Sequence, residues 1–338
     1  MLRKLFNSQQ TGLVLVILVL SAVLSIFAGS HTDRLTGKSV NNFLNSYTLM
    51  QTATDASFFA IMAVGATMVI ISGGVDLSVG SIYALAGVTM ALMMRKFATD
   101  SVWLSLAICV GIGLASGLVN GLMVTGLKVH PFIITLGTMW VLRGIAFVAS
   151  QAESILVPDS LTQVAKANLG LGEALYPVPM LLMLLVTTVG AVYLGRTVPG
   201  RYIYAVGCNV NAAKFSGLRV NRILVGVYVL SGLTAGIAAF IGTSYYGSAS
   251  CGDATGYELY VIAAAVVGGA SLSGGKGSAI NAMLGALLII IIRVAIRQLH
   301  FDQNYEWIII GCAIIIAVVL DQASARLTTR RLTSGGKS

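Results

Sequence analysis

The run VVGGASLSGGKGS, Val266 to Ser278, allows two opposite readings. Its glycines, serines and Gly275-Lys276 pair suggest either a loop that cradles phosphates or a break between two membrane helices. A phosphate-binding loop needs a glycine, four free residues, and then Gly-Lys followed by Ser or Thr. Here Ala270 stands where the first glycine belongs, and Gly277 stands where the hydroxyl residue belongs. No side chain is left there to hold magnesium. The nucleotide reading fails, and the surroundings of the run must supply its meaning.

Those surroundings are apolar. Of 338 residues, 57% are hydrophobic and 10% are charged, and the mean hydropathy is +0.88. Soluble domains carry about 25% charged residues, so this much apolar surface calls for a bilayer as solvent. Cys109, Cys208, Cys251 and Cys312 lie far apart, with no CxxC and no histidine beside them. They read as buried small side chains rather than metal ligands or disulfides.

A spanning helix needs about 20 apolar residues. Ten segments approach that: Thr11–Ala28, Ser57–Ile71, Ser78–Met94, Val102–Val124, Phe132–Ala149, Val178–Leu194, Ile223–Thr243, Leu259–Ser271, Ser278–Ile296 and Tyr305–Leu320. The expected fold is an all-α polytopic membrane protein of about ten transmembrane helices, with eight spans and two broken helices as the alternative. The first span follows MLRKLF but has no A-x-A site after it, so it reads as an anchor, not a cleaved signal. With both termini cytoplasmic, the inner segments gather Arg3, Lys4, Lys128, Arg196, Arg201, Lys214, Arg219, Arg222, Lys276 and the tail basics, while Arg34, Lys38, Arg95, Lys96 and Lys166 fall outside. That is the positive-inside pattern. The net charge of +9 is thus a topology signal and does not point to nucleic acid. The outer loops hold most acids, and Asp253, Glu258, Asp302 and Glu306 suggest an electrostatic face for a partner.

A second run, ISGGVDLSVGS at Ile71 to Ser81, also lies at the inner end of a span. Setting Gly73 against Gly268 matches Gly74 with Gly269, Leu77 with Leu272, Ser78 with Ser273 and Gly80 with Gly275. Single glycines in bilayers serve mainly close helix packing. Paired glycine-rich breaks at corresponding positions point to a lined or gated pathway. The residues expected there are Gly73, Gly74, Asp76, Ser78 and Gly80 in the first break, with Gly268, Gly269, Ser271, Ser273 and Gly275 in the second. Asp76 is open to two readings: a pathway residue, or a cap on the helix that starts near Ser78.

Four motifs in order, GGVDLSVGSIYALAG, NGLMVTGLKVHPFIITLGTMWVLRG, GRYIYAVGCNVNAAKFSGLRVNRI and GYELYVIAAAVVGGASLSGGKGS, resemble the membrane permease of ribose-type sugar ABC importers. The resemblance covers about Asn42 to Asp321. It implies a type II ABC importer-like bundle in the bacterial inner membrane, with residues 1–325 as one permease domain and 326–338 as a basic cytoplasmic tail. It further implies a second permease subunit, a periplasmic sugar-binding protein and a cytoplasmic ATPase. ATP and Mg sit on that ATPase, and no cofactor is bound by this chain. The family usually has glycine where Cys208 stands and an acid where Tyr260 follows GYEL.

The polar stretch 196–222 contains NVNAAKFSGLRV, which reads as a short helix begun by Asn209 or Asn211 and ended by Gly217. By resemblance it is the coupling segment that docks on the ATPase. Asn209, Ala212, Ala213, Phe215, Ser216 and Gly217 are its expected contact residues, Phe215 as apolar plug and the alanines as room for close approach. A plain basic loop is the alternative.

Among buried charges, Arg143 and Arg293 are expected to face the bundle interior, and Arg297 to reach outward toward Asp302 and Glu306. His130 before Pro131 marks a turn, and Trp103 and Trp307 read as interfacial anchors. No HExxH or nucleophile-base set supports an enzyme. An ion-coupled carrier or channel for a small polar solute is the rival, but Asp76 alone offers it a core acid.

Overall fold

Asn45 starts the first long buried helix: its side chain accepts from the Thr48 amide at 2.8 Å, as an N-cap does. In the computed structural model of the chain, which describes residues 9–32, 37, 39–170, 174–302, 304–312, 315 and 319, this helix (α2, Ser46–Ile71) follows α1 (Gln9–Phe27) and a short antiparallel hairpin of β1 (Ser30–Thr32) and β2 (Ser39–Asn41). Then come α3 (Val79–Phe97), α4 (Val102–Leu127), α5 (Pro131–Ser150), β3 (Ile155–Leu156), α6 (Asp159–Ala165) and α7 (Val178–Arg196). The second half holds α8 (Val198–Cys208), α9 (Val210–Phe215), α10 (Val220–Tyr246), β4 (Ser248–Ala249, antiparallel to β3), α11 (Tyr257–Val267) and α12 (Ala279–Gln298). Residues 305–312 are helical as well. The basic tail 326–338, the terminal basic residues Arg3 and Lys4, and Asp321 lie outside the described residues.

Seven of these helices (α1, α2, α4, α5, α7, α10 and α12) are long and apolar enough to cross a membrane. The expectation of about ten spans counted three more segments. One is α3, which is helical but carries Arg95 and Lys96 in its last turn. Another is α11, which stops at Val267 and is too short to cross, so Ser271 belongs to the break after it and not to a span. The tenth segment, Tyr305–Leu320, lies partly outside the described residues.

The helices sort by burial. The apolar stretch of α2 is 94% buried and that of α1 only 11%, so α2 runs through the middle and α1 lies at the rim. Hydropathy places the start of α2 at Ser57, but the helix begins at Ser46. Its first turns are polar, and they are tolerated because protein surrounds them. Thr52 donates to the Thr48 carbonyl at 2.7 Å and Ser57 to the Thr54 carbonyl at 2.6 Å, which satisfies the hydroxyls within the helix.

The most extensive pairing joins α4 to α10. Gly113, Gly117 and Gly121 recur every fourth residue on one face of α4. A Cβ at Gly113 would overlap the Gly232 carbonyl, one at Gly117 the Tyr228 carbonyl, and one at Gly236 the Cys109 carbonyl. Backbones approach this closely only where side chains are absent, the usual way helices associate in lipid. The expected packing role of single glycines is what these positions show.

Candidate functional site

Both glycine-rich breaks begin as the same helix terminus. At the end of α2, Gly73 (φ +86°) donates to the Ile70 carbonyl at 2.9 Å and Gly74 to the Val69 carbonyl at 3.0 Å. At the end of α11, Gly269 (φ +90°) donates to the Val266 carbonyl at 2.8 Å and Ala270 to the Ala265 carbonyl at 2.9 Å. Each is a complete Schellman motif, with the left-handed residue one place past the cap. Gly73 therefore corresponds to Gly269, not to Gly268: the sequence alignment is one residue out of register. Gly268 instead lies against α12, where a Cβ would sit 2.5 Å from the Asn281 carbonyl.

After Gly73 the chain runs back into the bundle before α3 begins. Broken backbone inside a membrane protein must find partners in the protein, and here side chains supply them. The Val75 carbonyl accepts from the Thr135 hydroxyl of α5 at 3.2 Å and from the Tyr228 hydroxyl of α10 at 3.4 Å. Asp76, 1% exposed, accepts from the Ser78 amide at 2.9 Å, the Ser78 hydroxyl at 2.6 Å and the Ser231 hydroxyl at 2.8 Å. Asn120 of α4 donates to the Ser78 hydroxyl at 2.7 Å. Asp76 thus bonds the amide at the start of α3 and also ties the break to α10. Gly80, in the first turn of α3, faces the start of α11, with a Cβ there 2.6 Å from the Ala254 carbonyl.

The second break folds over itself: Ser271 donates its amide to the Lys276 carbonyl at 3.1 Å, and Gly274 to the Ser271 carbonyl at 2.9 Å. Ser271 is buried, whereas Ser273 and Lys276 are exposed. The two breaks touch. Gly275 donates its amide to the Ile71 carbonyl at 2.8 Å, so the second loop caps the last turn of α2.

The end of α8 is wedged into that junction. A Cβ at Gly207 would overlap the Ile71 carbonyl and lie 2.6 Å from the Gly275 amide. The Tyr204 hydroxyl donates to the Gly277 carbonyl at 2.9 Å. Sequence reading passed over Gly207 and Tyr204; the only local signal was that GRYIYAVG precedes the short helix directly. Asn209 then ends α8 and starts α9 with no linker between them. Its amide donates to the Ala205 carbonyl at 3.2 Å, and its side chain accepts from the Ala212 amide at 2.9 Å. Gly217 (φ +79°) closes α9, donating to the Lys214 carbonyl at 3.0 Å while Leu218 donates to that of Ala213 at 3.1 Å.

Expected contact residues part company on α9. Asn209, Ala212, Ser216 and Gly217 are exposed, and Phe215 is 92% exposed. Ala213 is only 4% exposed and packs on Val206 and Val220. It holds α9 to its own chain and offers no surface for close approach by another protein. Arg196, Arg201, Lys214, Arg219 and Arg222 are exposed around this unit.

The charges also depart from expectation in part. Arg143 is buried, as expected, and donates to the Cys251 carbonyl at 2.8 Å and the Asp253 carbonyl at 2.6 Å. Arg293 faces inward and pairs with Glu306. Arg297 pairs with Asp55 at 3.7 Å, not with Asp302 or Glu306. Asp55, on the polar stretch that hydropathy left out of a span, is half-buried, unlike Asp76. Of the four acids expected on the outer face, Asp302 is exposed, whereas Glu306 is paired, Asp253 accepts from the Ser250 amide at 2.8 Å, and one Glu258 oxygen is buried. His130 caps α5, its ring nitrogen accepting from the Phe132 amide at 3.3 Å. Among the described residues no group of three or more His, Cys, Asp or Glu stands close enough to hold a metal ion.

Comparison with known proteins gives this arrangement a family. Residues 48–318 match the family described as branched-chain amino acid transport system / permease component. The chain is 40% identical over 284 residues to a ribose import permease protein of Haemophilus influenzae, covering 84% of this chain and 85% of the relative. It is 32% identical over 327 residues to a fructose import permease protein of Rhizobium meliloti, covering 95% and 88%. To a D-allose transport system permease protein of Escherichia coli it is 35% identical over 282 residues, covering 83% and 85%. No solved structure matches the chain. Seven membrane-length apolar helices and a match over most of the chain agree: this protein belongs to that family of multi-pass transport permeases, in its ribose-type group, and is a translocation subunit and not an enzyme.

Proposed function

We propose that this chain carries a monosaccharide of the ribose, fructose or allose kind from the periplasm to the cytoplasm, as one of two permease subunits in an ATP-driven importer. The second permease is either another copy or a related chain. A periplasmic binding protein delivers the sugar, and a cytoplasmic ATPase binds ATP and Mg. The observation that carries the proposal is the continuous unit from Phe215 through Asn209 to Gly207. It ends in a bare apolar side chain at one side and is wedged between both glycine-rich breaks at the other.

In this reading Phe215 seats in the ATPase, with Asn209, Ala212, Ser216 and Gly217 forming the rest of the docking surface. When the ATPase closes, α9 and α8 move together, since one residue caps both. Gly207 then displaces the Ile71–Gly275 bond. The breaks at Gly73, Gly74, Asp76, Ser78 and Gly80, and at Gly268, Gly269, Ser271, Ser273 and Gly275, change shape to open one side of the bundle and close the other. Packed elements with two discrete arrangements are how such rigid-body motion is transmitted. The exposed basic residues around α9 support a cytoplasmic position for this end by the positive-inside rule, and both termini are read on the same side.

Orientation has a direct test. In a chain with Cys208 and Cys312 replaced by serine, Gly252→Cys should react with a membrane-impermeant thiol reagent in intact spheroplasts. Phe215→Cys should react only after permeabilisation. The reverse pattern would put α9 in the periplasm and remove any contact with an ATPase.

A further inference from the structure

At the end of α2 away from Ile71 lies a cavity of about 240 Å³. Asp55 stands on α2 sixteen positions before Ile71, hence about 24 Å from that end of the helix at ~1.5 Å of rise per residue. Arg293 and Arg297 come from the end of α12, Tyr246 from the end of α10, and Tyr257 from the start of α11. Three of the helices that bring residues here, α2, α11 and α12, are those whose other ends border the two breaks.

The walls are of two kinds. Phe59 and Tyr257 stack with centroids 4.4 Å apart, and Phe58 meets Tyr246 at 5.6 Å. Against these faces stand two ion pairs, Arg293 with Glu306 and Arg297 with Asp55. Each is held from behind. The Arg293 guanidinium lies 5.0 Å from the Tyr260 ring centre and 5.6 Å from that of Phe59. The Tyr260 hydroxyl donates to Glu306 at 2.6 Å, and Gln51 donates to Asp55 at 2.8 Å. The hydroxyls of Tyr246 and Tyr257 have no hydrogen-bond partner among the described residues.

Charges inside a membrane bundle are costly and mark function more often than stability. Neither pair is closed off: the Arg297 side chain is 53% exposed and that of Arg293 29% exposed, so both guanidinium groups stand at the cavity mouth. Here four charges surround a space instead of closing it. Aromatic faces suit the C–H face of a sugar ring, and fixed carboxylate and guanidinium edges suit its hydroxyls through charge-assisted bonds. At about 240 Å³ the space is below the roughly 300–1,000 Å³ of sites for drug-sized ligands, a size that suits a single sugar ring.

We infer that this cavity is a transit site for a monosaccharide inside the permease itself, with Tyr257 and Asp55 bonding the sugar hydroxyls and Phe59 and Tyr257 covering its apolar face. The inference rests on the reading of the chain as a sugar permease. Its test uses the whole transporter, purified with its ATPase and binding protein and reconstituted in liposomes. Labelled D-ribose, D-fructose and D-allose are offered in turn, and both uptake and ATP hydrolysis are measured. Tyr257→Phe, which removes one hydroxyl and keeps the ring, and Asp55→Asn should each lower sugar moved per ATP hydrolysed by about tenfold, the worth of one good polar contact. Hydrolysis stimulated by the loaded binding protein should persist, because neither residue touches α8 or α9. A purely structural role would instead lower both readouts together, or neither. If Asp55→Asn fails to assemble, Tyr257→Phe and Tyr246→Phe decide, since they leave every ion pair in place. Unchanged sugar per ATP in the assembled variants, with uptake by the unaltered transporter, overturns the transit site alone. An unaltered transporter that moves none of the three sugars overturns the sugar reading and the site with it.

Discussion

Gly207→Ala should abolish transport while leaving the protein in the membrane. The added methyl would overlap the Ile71 carbonyl and press on the Gly275 amide, whose mutual bond of 2.8 Å holds the two breaks together. Neither neighbour is a flexible side-chain tip, so backbone must move. Overpacking costs about 1–3 kcal/mol, and an opened buried backbone bond costs a further ~1–3 kcal/mol. Either is enough to shift a two-state junction by about tenfold, since ~1.4 kcal/mol is one decade. Insertion rests on other contacts, chiefly the α4–α10 glycine interface, which this change does not reach. Uptake in cells should fall below about a tenth of the unaltered level, with membrane content and gel-filtration profile kept. Gly195→Ala, at a position with nothing within 4 Å, should transport normally. Normal uptake by Gly207→Ala would show that the wedge is incidental.

Phe215→Ala should separate the permease from its ATPase. The ring is 92% exposed, so nothing in its own chain accounts for it. Burying a Phe side chain contributes about 1.5–3 kcal/mol, so its loss should weaken the association by roughly tenfold to hundredfold. Phe215→Glu should go further, because it would leave an unpaired charge in a dry contact. Co-purification of the ATPase and sugar uptake should drop together, while thermal stability of the isolated permease stays unchanged. Ala213→Arg cannot make this distinction. Ala213 packs on Val206 and Val220, so bulk there would detach α9 from its own chain before any partner is met. If both Phe215 variants retain the ATPase and transport at full rate, α9 is an ordinary basic loop.

What hydropathy reads well is the lipid-facing helix, apolar on every side, such as α1 or α7. It reads poorly a helix surrounded by protein: the polar first turns of α2 looked like a loop, and Asp55 was lost with them. Gly217 and Asn209 were legible because capping is local, needing one side-chain oxygen and one left-handed residue. The register between the two breaks was not, because in Gly73-Gly74 and Gly268-Gly269 either glycine can take the positive φ. Only the Schellman bonds tell which does. The inward turn of Ala213, the wedge at Gly207 and the pairing of Arg297 with Asp55 are tertiary facts, set by which helices meet. No spacing along the chain encodes them.

The account stands on motion at one junction, and a reversible lock tests that most directly. A Cβ at Gly275 would lie 2.7 Å from the Cys208 sulfur. A cysteine there reaches Cys208 once the backbone at Gly275 (φ +74°) yields slightly, bringing the Cβ atoms to the separation of about 3.5–4.5 Å found in a disulfide. Gly275→Cys is reconstituted with the ATPase and binding protein, and uptake is measured oxidised and then reduced, with Gly275→Cys in a Cys208→Ser background as control. Oxidation should stop sugar uptake and reduction should restore it, with the control insensitive to both. A chain shown by mass spectrometry to be fully cross-linked, yet carrying sugar as fast oxidised as reduced, would contradict the claim that α8 moves the two breaks.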